Sequence, residues 1–139
     1  MLIRKAHVQD YPQLRQIYLN SRRGSFHWAN TEEMTLDDFD RDTVEEEIFV
    51  AEVNGDILGF TALYVPNQFI HHLFVDPAHA GKGAGDQLLK RAVDELGTPV
   101  TLKCVSENKH ALSFYKKRGW KAVIEEGEPG AKYWVMVYE

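Results

Sequence analysis

Leu73-Phe74-Val75-Asp76-Pro77 is an apolar segment that breaks at a proline, and Gly81-Lys82-Gly83-Ala84-Gly85 then leads straight into the apolar pair Leu88-Leu89. Glycines at every second position let the backbone turn tightly and bring its N–H groups against an anion. A helix opening at such a turn adds unpaired donors and the positive end of its dipole. The ligand this suits carries phosphate. Two common phosphate fingerprints do not fit: Gly81-Lys82 is followed by Gly83 rather than Ser or Thr, and Gly81-x-Gly83-x-Gly85 lacks the dinucleotide spacing. A pyrophosphate-bearing ligand of another kind is indicated.

Two histidines stand just upstream. Alternation along 69–75 puts His71, Leu73 and Val75 on one face and His72 and Phe74 on the other, so only one imidazole can face a given site. Adjacent histidines also suggest metal, but no further ligand occurs at supporting spacing, and no metal is expected.

These groups need a frame. Residues 2–6 predict a short strand, and Asp10 a helix N-cap for 12–21, with Leu14, Ile17 and Tyr18 on one face. The stretch 22–43 reads as irregular, with a second helix near 36–40. Two apolar runs, 48–53 and 57–65, flank Asn54-Gly55-Asp56, a strong hairpin signal. Pro66-Asn67 turns the chain into a strand over 69–75. The glycine turn follows, then a helix from about 83 to 96 that Gly97-Thr98-Pro99 ends. Residues 100–105 return as a strand parallel to 69–75, because a helix crossover joins the two. A last helix over 109–118 stops at Gly119, and strands 121–125 and 132–138 close the chain. The expected fold class is α/β (α+β): one mixed, mostly antiparallel sheet of six to seven strands with helices on both faces.

With 139 residues, 44% of them hydrophobic, residues 1–139 make a single domain with a real core. No apolar run reaches the length of a membrane span, and the N-terminus lacks the apolar core of a signal peptide. The lone Cys104 cannot form an internal disulfide, and a reducing, cytoplasmic setting is expected. A net charge of −5 without a basic stripe argues against a nucleic-acid surface.

A second block, Asn108-Lys109-His110-Ala111-Leu112-Ser113-Phe114-Tyr115-Lys116-Lys117-Arg118-Gly119-Trp120, joins the glycine turn. Together the two resemble the GNAT superfamily of acyl-CoA-dependent N-acetyltransferases. The family's pyrophosphate signature, Gln/Arg-x-x-Gly-x-Gly/Ala, falls on Ala80 through Gly85, and its Asn-x-x-Ala-x-x-Phe-Tyr-x-x-x-Gly-Phe pattern falls on Asn108 through Trp120. The order of elements agrees over essentially the whole chain, with 22–47 the least constrained. Ala80 departs from the family's Gln or Arg, which removes one side-chain contact to phosphate and leaves the backbone cradle.

The resemblance implies acetyl-CoA as co-substrate, with the pyrophosphate on Ala80, Gly81, Lys82, Gly83, Ala84, Gly85 and Asp86. It places the pantetheine arm along Leu73, Phe74 and Val75, where the parallel strand pair splays apart at the acyl-CoA site, and on Asn108, which also reads as an N-cap. Tyr115 matches the tyrosine held near the thioester sulfur, a general acid whose reference pKa of roughly 10 lies just above that of a thiol. The alternative for Phe114 and Tyr115 is a pair of core aromatics. His71 resembles one of the paired active-site histidines of serotonin N-acetyltransferases, the other falling on Phe69, and is a base or relay candidate; the alternative is a histidine satisfied by a backbone carbonyl.

The expected reaction is acetyl transfer to a primary amine of a small molecule or peptide, directly, in a ternary complex. Cys104 is the obvious carrier for an acyl-enzyme route, but it reads as a small buried hydrophobe. Two other readings stand beside this one. One is a non-catalytic acyl-CoA sensor; the other is a protein N-terminal acetyltransferase, against which Lys103 counts, since it occupies the place of a catalytic Glu. A homodimer is a further expectation. Acceptor contacts are expected from Phe26 and Trp28 in the irregular segment, beside an acidic run from Glu32 to Glu47 that either concentrates a cationic amine or forms a solvated flank. Arg22 and Arg23 suggest instead a carboxylate or the CoA phosphates.

Overall fold

The structure is a computed structural model that describes residues 1–25 and 33–139. Strand β1 (Leu2–Lys5) leads through a 3₁₀ turn (Val8–Asp10) into helix α1 (Tyr11–Ser25), and a short α2 (Asp38–Asp42) precedes β2 (Glu47–Val53). Strands β3 (Asp56–Tyr64) and β4 (Phe69–Val75), helix α3 (Ala84–Leu96), strand β5 (Val100–Val105), helix α4 (Lys109–Lys116), and strands β6 (Lys121–Glu126) and β7 (Tyr133–Tyr138) complete the order. All seven strands join one sheet in the order β1, β2, β3, β4, β5, β7, β6. The β4–β5 pair is parallel and the other pairs are antiparallel, as the helix crossover requires.

Local chemistry explains the elements. The β2–β3 hairpin closes on Asn54 and Gly55, both left-handed at φ 52° and 86°, the turn whose twist matches its strands. Helix α3 buries Ala84, Leu88, Leu89, Ala92 and Leu96, one stripe at helical spacing. On α1 the buried stripe is Leu14, Ile17, Tyr18 and Ser21. This helix outruns the expected end at 21 because its last turns find partners. The buried Arg22 donates to the Tyr18 carbonyl at 3.1 Å and to Asp38 at 3.1 Å, and its guanidinium lies 3.8 Å over the Tyr18 ring. Arg22 and Arg23 therefore sit on a helix. Asp10 directly precedes α1, with its carboxylate accepting from Arg4 at 2.8 Å and from the His7 N–H at 2.7 Å.

The sheet separates two apolar layers. Leu14, Ile17, Tyr18 and Phe39 pack with Ile48, Val50, Phe60 and Ala62 on one side, and Phe74 joins them. On the other, Leu89, Ala92, Leu96, Leu112 and Tyr115 pack with Leu63, Ile70, Leu102 and Met136. Fully buried side chains such as Leu14, Phe39, Phe60 and Leu88 are each worth roughly 1.5–3 kcal/mol over exposure.

One irregularity positions the site. Along β3 and β4 the register passes from Ala62↔His72 to Leu63↔Ile70, leaving His71 as an extra residue. Such a bulge bends and twists its strand. On the opposite edge β4 pairs with β5 only at Phe69↔Thr101 and Ile70↔Leu102. From the bulge onward the two parallel strands part, so the backbone of Leu73, Phe74 and Val75 carries no ladder to β5. This is the expected splay.

Candidate active site

The glycine turn has the shape its sequence demands. Asp76 ends β4 and its carboxylate accepts the Ala78 N–H at 3.0 Å, starting a 3₁₀ turn over Pro77–His79. Gly81 and Gly83 are left-handed at φ 82° and 85°, and a Cβ on either would meet nothing within 4 Å. Backbone conformation, not crowding, is what requires glycine there. Gly83 is the N-cap of α3 and has no side chain to occupy the first-turn N–H groups, the kind of donors that suit an anion. At Gly85 a Cβ would lie 3.4 Å from Phe114 and 3.5 Å from Val75, ordinary van der Waals contact, so neither space nor backbone conformation demands glycine there.

A cleft of about 600 Å³ opens over this turn. Ala80, Gly81, Gly83, Ala84, Gly85 and Asp86 line one end, Leu73, Phe74 and Val75 the parting strand, and Asn108 and Tyr115 the far wall. Phe74 belongs to the α1 layer, whereas Leu73 and Val75 face α3, so the cleft reaches both sides of the sheet. Lys82 is outside the lining; its ammonium lies 3.2 Å from His79 Nδ1 on the exposed rim.

Sequence reasoning missed five lining residues: Ser21, His110, Ala111, Phe114 and Arg118. Ser21 had a legible signal, a polar residue seven positions after Leu14 on the buried face; its hydroxyl donates to the Val75 carbonyl at 3.2 Å. Arg118 lies 3.8 Å over the Phe114 ring and donates to Asp86 at 2.9 Å. That contact holds the Asp86 carboxyl below its usual range, and it brings a cation to a cleft whose Ala80 supplies none.

Tyr115 is buried between Phe114 and Trp120, with ring centroids 5.3 Å and 5.9 Å away. Burial, with a smaller contribution from Cys104, raises its phenol above the ordinary value, so the hydroxyl is protonated at neutral pH. Asn108 caps α4, its side-chain oxygen accepting the Ala111 N–H at 3.1 Å. Burial pushes the Cys104 thiol up to about 11, which removes its nucleophilic form at physiological pH.

The histidines correct the alternation expectation. Because His71 is the bulged residue, it does not take the face opposite His72; the two rings lie 3.8 Å apart, both on the α1 side. The His72 ring also meets Tyr18 at 5.3 Å, and its Nε2 lies 3.2 Å from the Asp42 carbonyl oxygen. Burial, then the neighbouring His71, pushes His72 down to about 4, a neutral imidazole at neutral pH. His71 is more open, 42% exposed, and its Nδ1 lies 2.5 Å from Oε2 of Glu46. Glu46 thus completes a set of three metal-ligand types, with ligand atoms within 4.8 Å of one another, a third member that spacing along the sequence did not show. Here the two imidazoles make separate hydrogen bonds, Nδ1 of His71 with Glu46 and Nε2 of His72 with the Asp42 carbonyl.

Phe26 and Trp28 lie outside the described residues. The acidic run is only in part a solvated flank: Asp38 is buried and paired with Arg22, the Glu46 side chain is only 5% exposed, and Asp40 bonds Arg15 at 2.9 Å. Arg22 is thereby committed to a carboxylate of its own chain. Lys103 is exposed, its ammonium 5.0 Å over the Tyr133 ring and 6.0 Å from that of Phe69.

The fold and the cleft define an acyltransferase architecture, and comparison with known proteins gives the family. The model of the acetyltransferase (GNAT) family matches residues 11–120, and the chain belongs to that family. An uncharacterized N-acetyltransferase of Methanocaldococcus jannaschii is 36% identical over 90 residues, 55% of this chain and 40% of that protein, so the match spans less than half of its relative. The solution structure of apo YjaB from Escherichia coli superposes with a TM-score of 0.81 at 26% identity, covering 99% of this chain and 96% of that one. Salmonella typhimurium YncA, solved with acetyl-CoA, superposes at 0.75 with 21% identity, covering 100% and 93%. Among the described residues no helix is long and apolar enough to cross a membrane.

Proposed function

We propose that this chain moves an acetyl group from acetyl-CoA to a primary amine of a small molecule or peptide, directly, in a ternary complex. The observation that carries the reading is a single cleft uniting a helix N-terminus without a side-chain cap behind left-handed glycines, a stretch of β4 past its last pairing with β5 and a buried tyrosine. The pyrophosphate would take the N–H groups of the glycine turn, and the pantetheine amides the stretch of β4 past its last pairing with β5, as a strand takes a partner. The structural neighbour solved with acetyl-CoA supports the same choice of ligand.

His71 then takes one proton from the acceptor ammonium, and the free amine attacks the thioester carbon. As the tetrahedral intermediate collapses, the C–S bond breaks and the amide nitrogen sheds a second proton. The departing thiolate gains one, from the Tyr115 hydroxyl, so one proton in all goes to solvent. Burial raises the phenol, yet a thiolate leaving into the same water-poor cleft is also a stronger base there, which keeps the transfer near balance.

The test is calorimetry with acetyl-CoA together with release of free CoA over polyamines, amino acids, aminoglycosides and peptides. Saturable binding with turnover of at least one amine is expected. Binding with no turnover on any of them would replace this reading with that of an acyl-CoA sensor.

A further inference from the structure

Glu46 is the middle of three consecutive glutamates, a sequence context that suggests solvent, yet its side chain is only 5% exposed. The backbone turns it inward. Glu45 has a left-handed φ of 64°, a conformation that costs a non-glycine residue roughly 1–2 kcal/mol, and the Glu46 N–H is fixed to the Thr43 carbonyl at 3.1 Å. The buried carboxylate then has one hydrogen-bonding partner among the described residues, His71 Nδ1 on Oε2, while Oε1 has none. A carboxylate taken out of water and only half satisfied is a poor device for stability. Backbone strain and burial together converge on the orientation of one imidazole.

The imidazole is built to be oriented. The bulge delivers His71 to the α1 side, and the ring packs against His72, whose neutral state adds no repulsive charge. With a carboxylate on Nδ1, the ring carries its proton there, and Nε2 is left with the lone pair on a ring open to solvent.

We propose that Glu46 is the positioning residue of His71: it fixes the tautomer that exposes the Nε2 lone pair to the acceptor and stabilises the imidazolium formed when that atom accepts the proton. The catalytic use of this pair rests on the acetyl-transfer reading; the tautomer does not. Among the described residues, the charged and titratable groups on this stretch of the face include Glu46 from the loop before β2, His72 from β4, Asp42 from α2, Tyr18 and Arg22 from α1 and Lys103 from β5.

Nitrogen-15 NMR of the imidazoles in the ligand-free protein, at a pH where His71 is neutral, reads the tautomer without any turnover. Protonated Nδ1 and bare Nε2 are expected, and the reverse tautomer overturns the proposal with no variant needed. In Glu46→Gln, kcat is expected to fall at least tenfold with acetyl-CoA affinity unchanged. Glu46→Asp, which keeps a carboxylate, should restore part of the rate. An unchanged kcat in a folded Glu46→Gln protein also overturns the proposal. Absence of turnover with every amine while Nδ1 carries the proton overturns the acetyl-transfer reading and leaves the positioning geometry standing.

Discussion

The rings of His71 and His72, adjacent in sequence, lie 3.8 Å apart on the same side of the sheet. In a regular strand they would point to opposite faces. Their stacking is the direct product of the bulge in β4, and the same bulge marks where β4 leaves β5 and the cleft begins. A local fault in pairing thus sets both the start of the cleft and the placement of the two imidazoles.

The pair has a consequence for stability. The folded His72 is pushed down to about 4, mainly by burial, whereas the unfolded chain titrates near 6.5. Above 6.5 both states are neutral and the full stability is present. Between 6.5 and 4 the unfolded chain takes a proton that the folded protein refuses, so stability falls with falling pH. Urea denaturation should show about 1–2 kcal/mol lost at this residue between pH 7 and pH 5. The loss should shrink in His72→Asn, and an equal slope in the variant would assign it elsewhere.

Most of the frame was legible in sequence because its signals are local. Alternation, the Asn54-Gly55 turn and the crossover between 69–75 and 100–105 each depend on a few neighbouring residues. The glycine turn and the Asn108 to Trp120 block likewise carried most of the cleft lining. What escaped depends on distant partners. The bulge at His71 is a property of the β3–β4 register; α1 continues past 21 because Arg22 meets Asp38; Glu46 meets His71 only because the two segments come together in the fold. None of these has a periodic signature, and an acidic triplet gives no sign of which member turns inward.

Cys104 should be silent. With its thiol pushed up to about 11 by burial, it is not the nucleophile of an acyl-enzyme route. Cys104→Ala is expected to keep turnover within about twofold, at a stability cost of roughly 1 kcal/mol for the small cavity. Intact mass after mixing with acetyl-CoA should show no adduct. An acetyl group on Cys104 that is lost on adding amine would overturn direct transfer.

Two glycines should fail in different ways. A Cβ on Gly59 would lie 2.5 Å from the Phe74 carbonyl oxygen and 3.0 Å from Val75 Cα, backbone atoms that cannot step aside. Gly59→Ala should cost about 3 kcal/mol, at the upper end of overpacking. Gly83→Ala has open space around it and meets only the left-handed backbone, so about 1 kcal/mol is expected. The order reverses for the ligand: Gly83→Ala should weaken acetyl-CoA about tenfold by calorimetry, since relaxing φ turns the α3 N–H groups away from the phosphates. Unchanged affinity in a relaxed Gly83→Ala protein would remove the turn as the phosphate grip.

Tyr115 offers the most direct test of the chemistry. Tyr115→Phe keeps the ring that packs against Phe114 and Trp120 and deletes only the hydroxyl. Affinity for acetyl-CoA should hold, while kcat falls by about 100-fold, the ordinary worth of a positioned general acid. The deficit should depend on the leaving group. A thioester whose thiol is more acidic departs as thiolate with less help, so the gap between Tyr115→Phe and the parent should narrow with an acetylated analogue of lower thiol pKa. If the gap is the same for both thioesters, the hydroxyl does not protonate sulfur and serves instead to orient the acyl group; if turnover is unchanged with acetyl-CoA itself, Tyr115 has no part in the reaction.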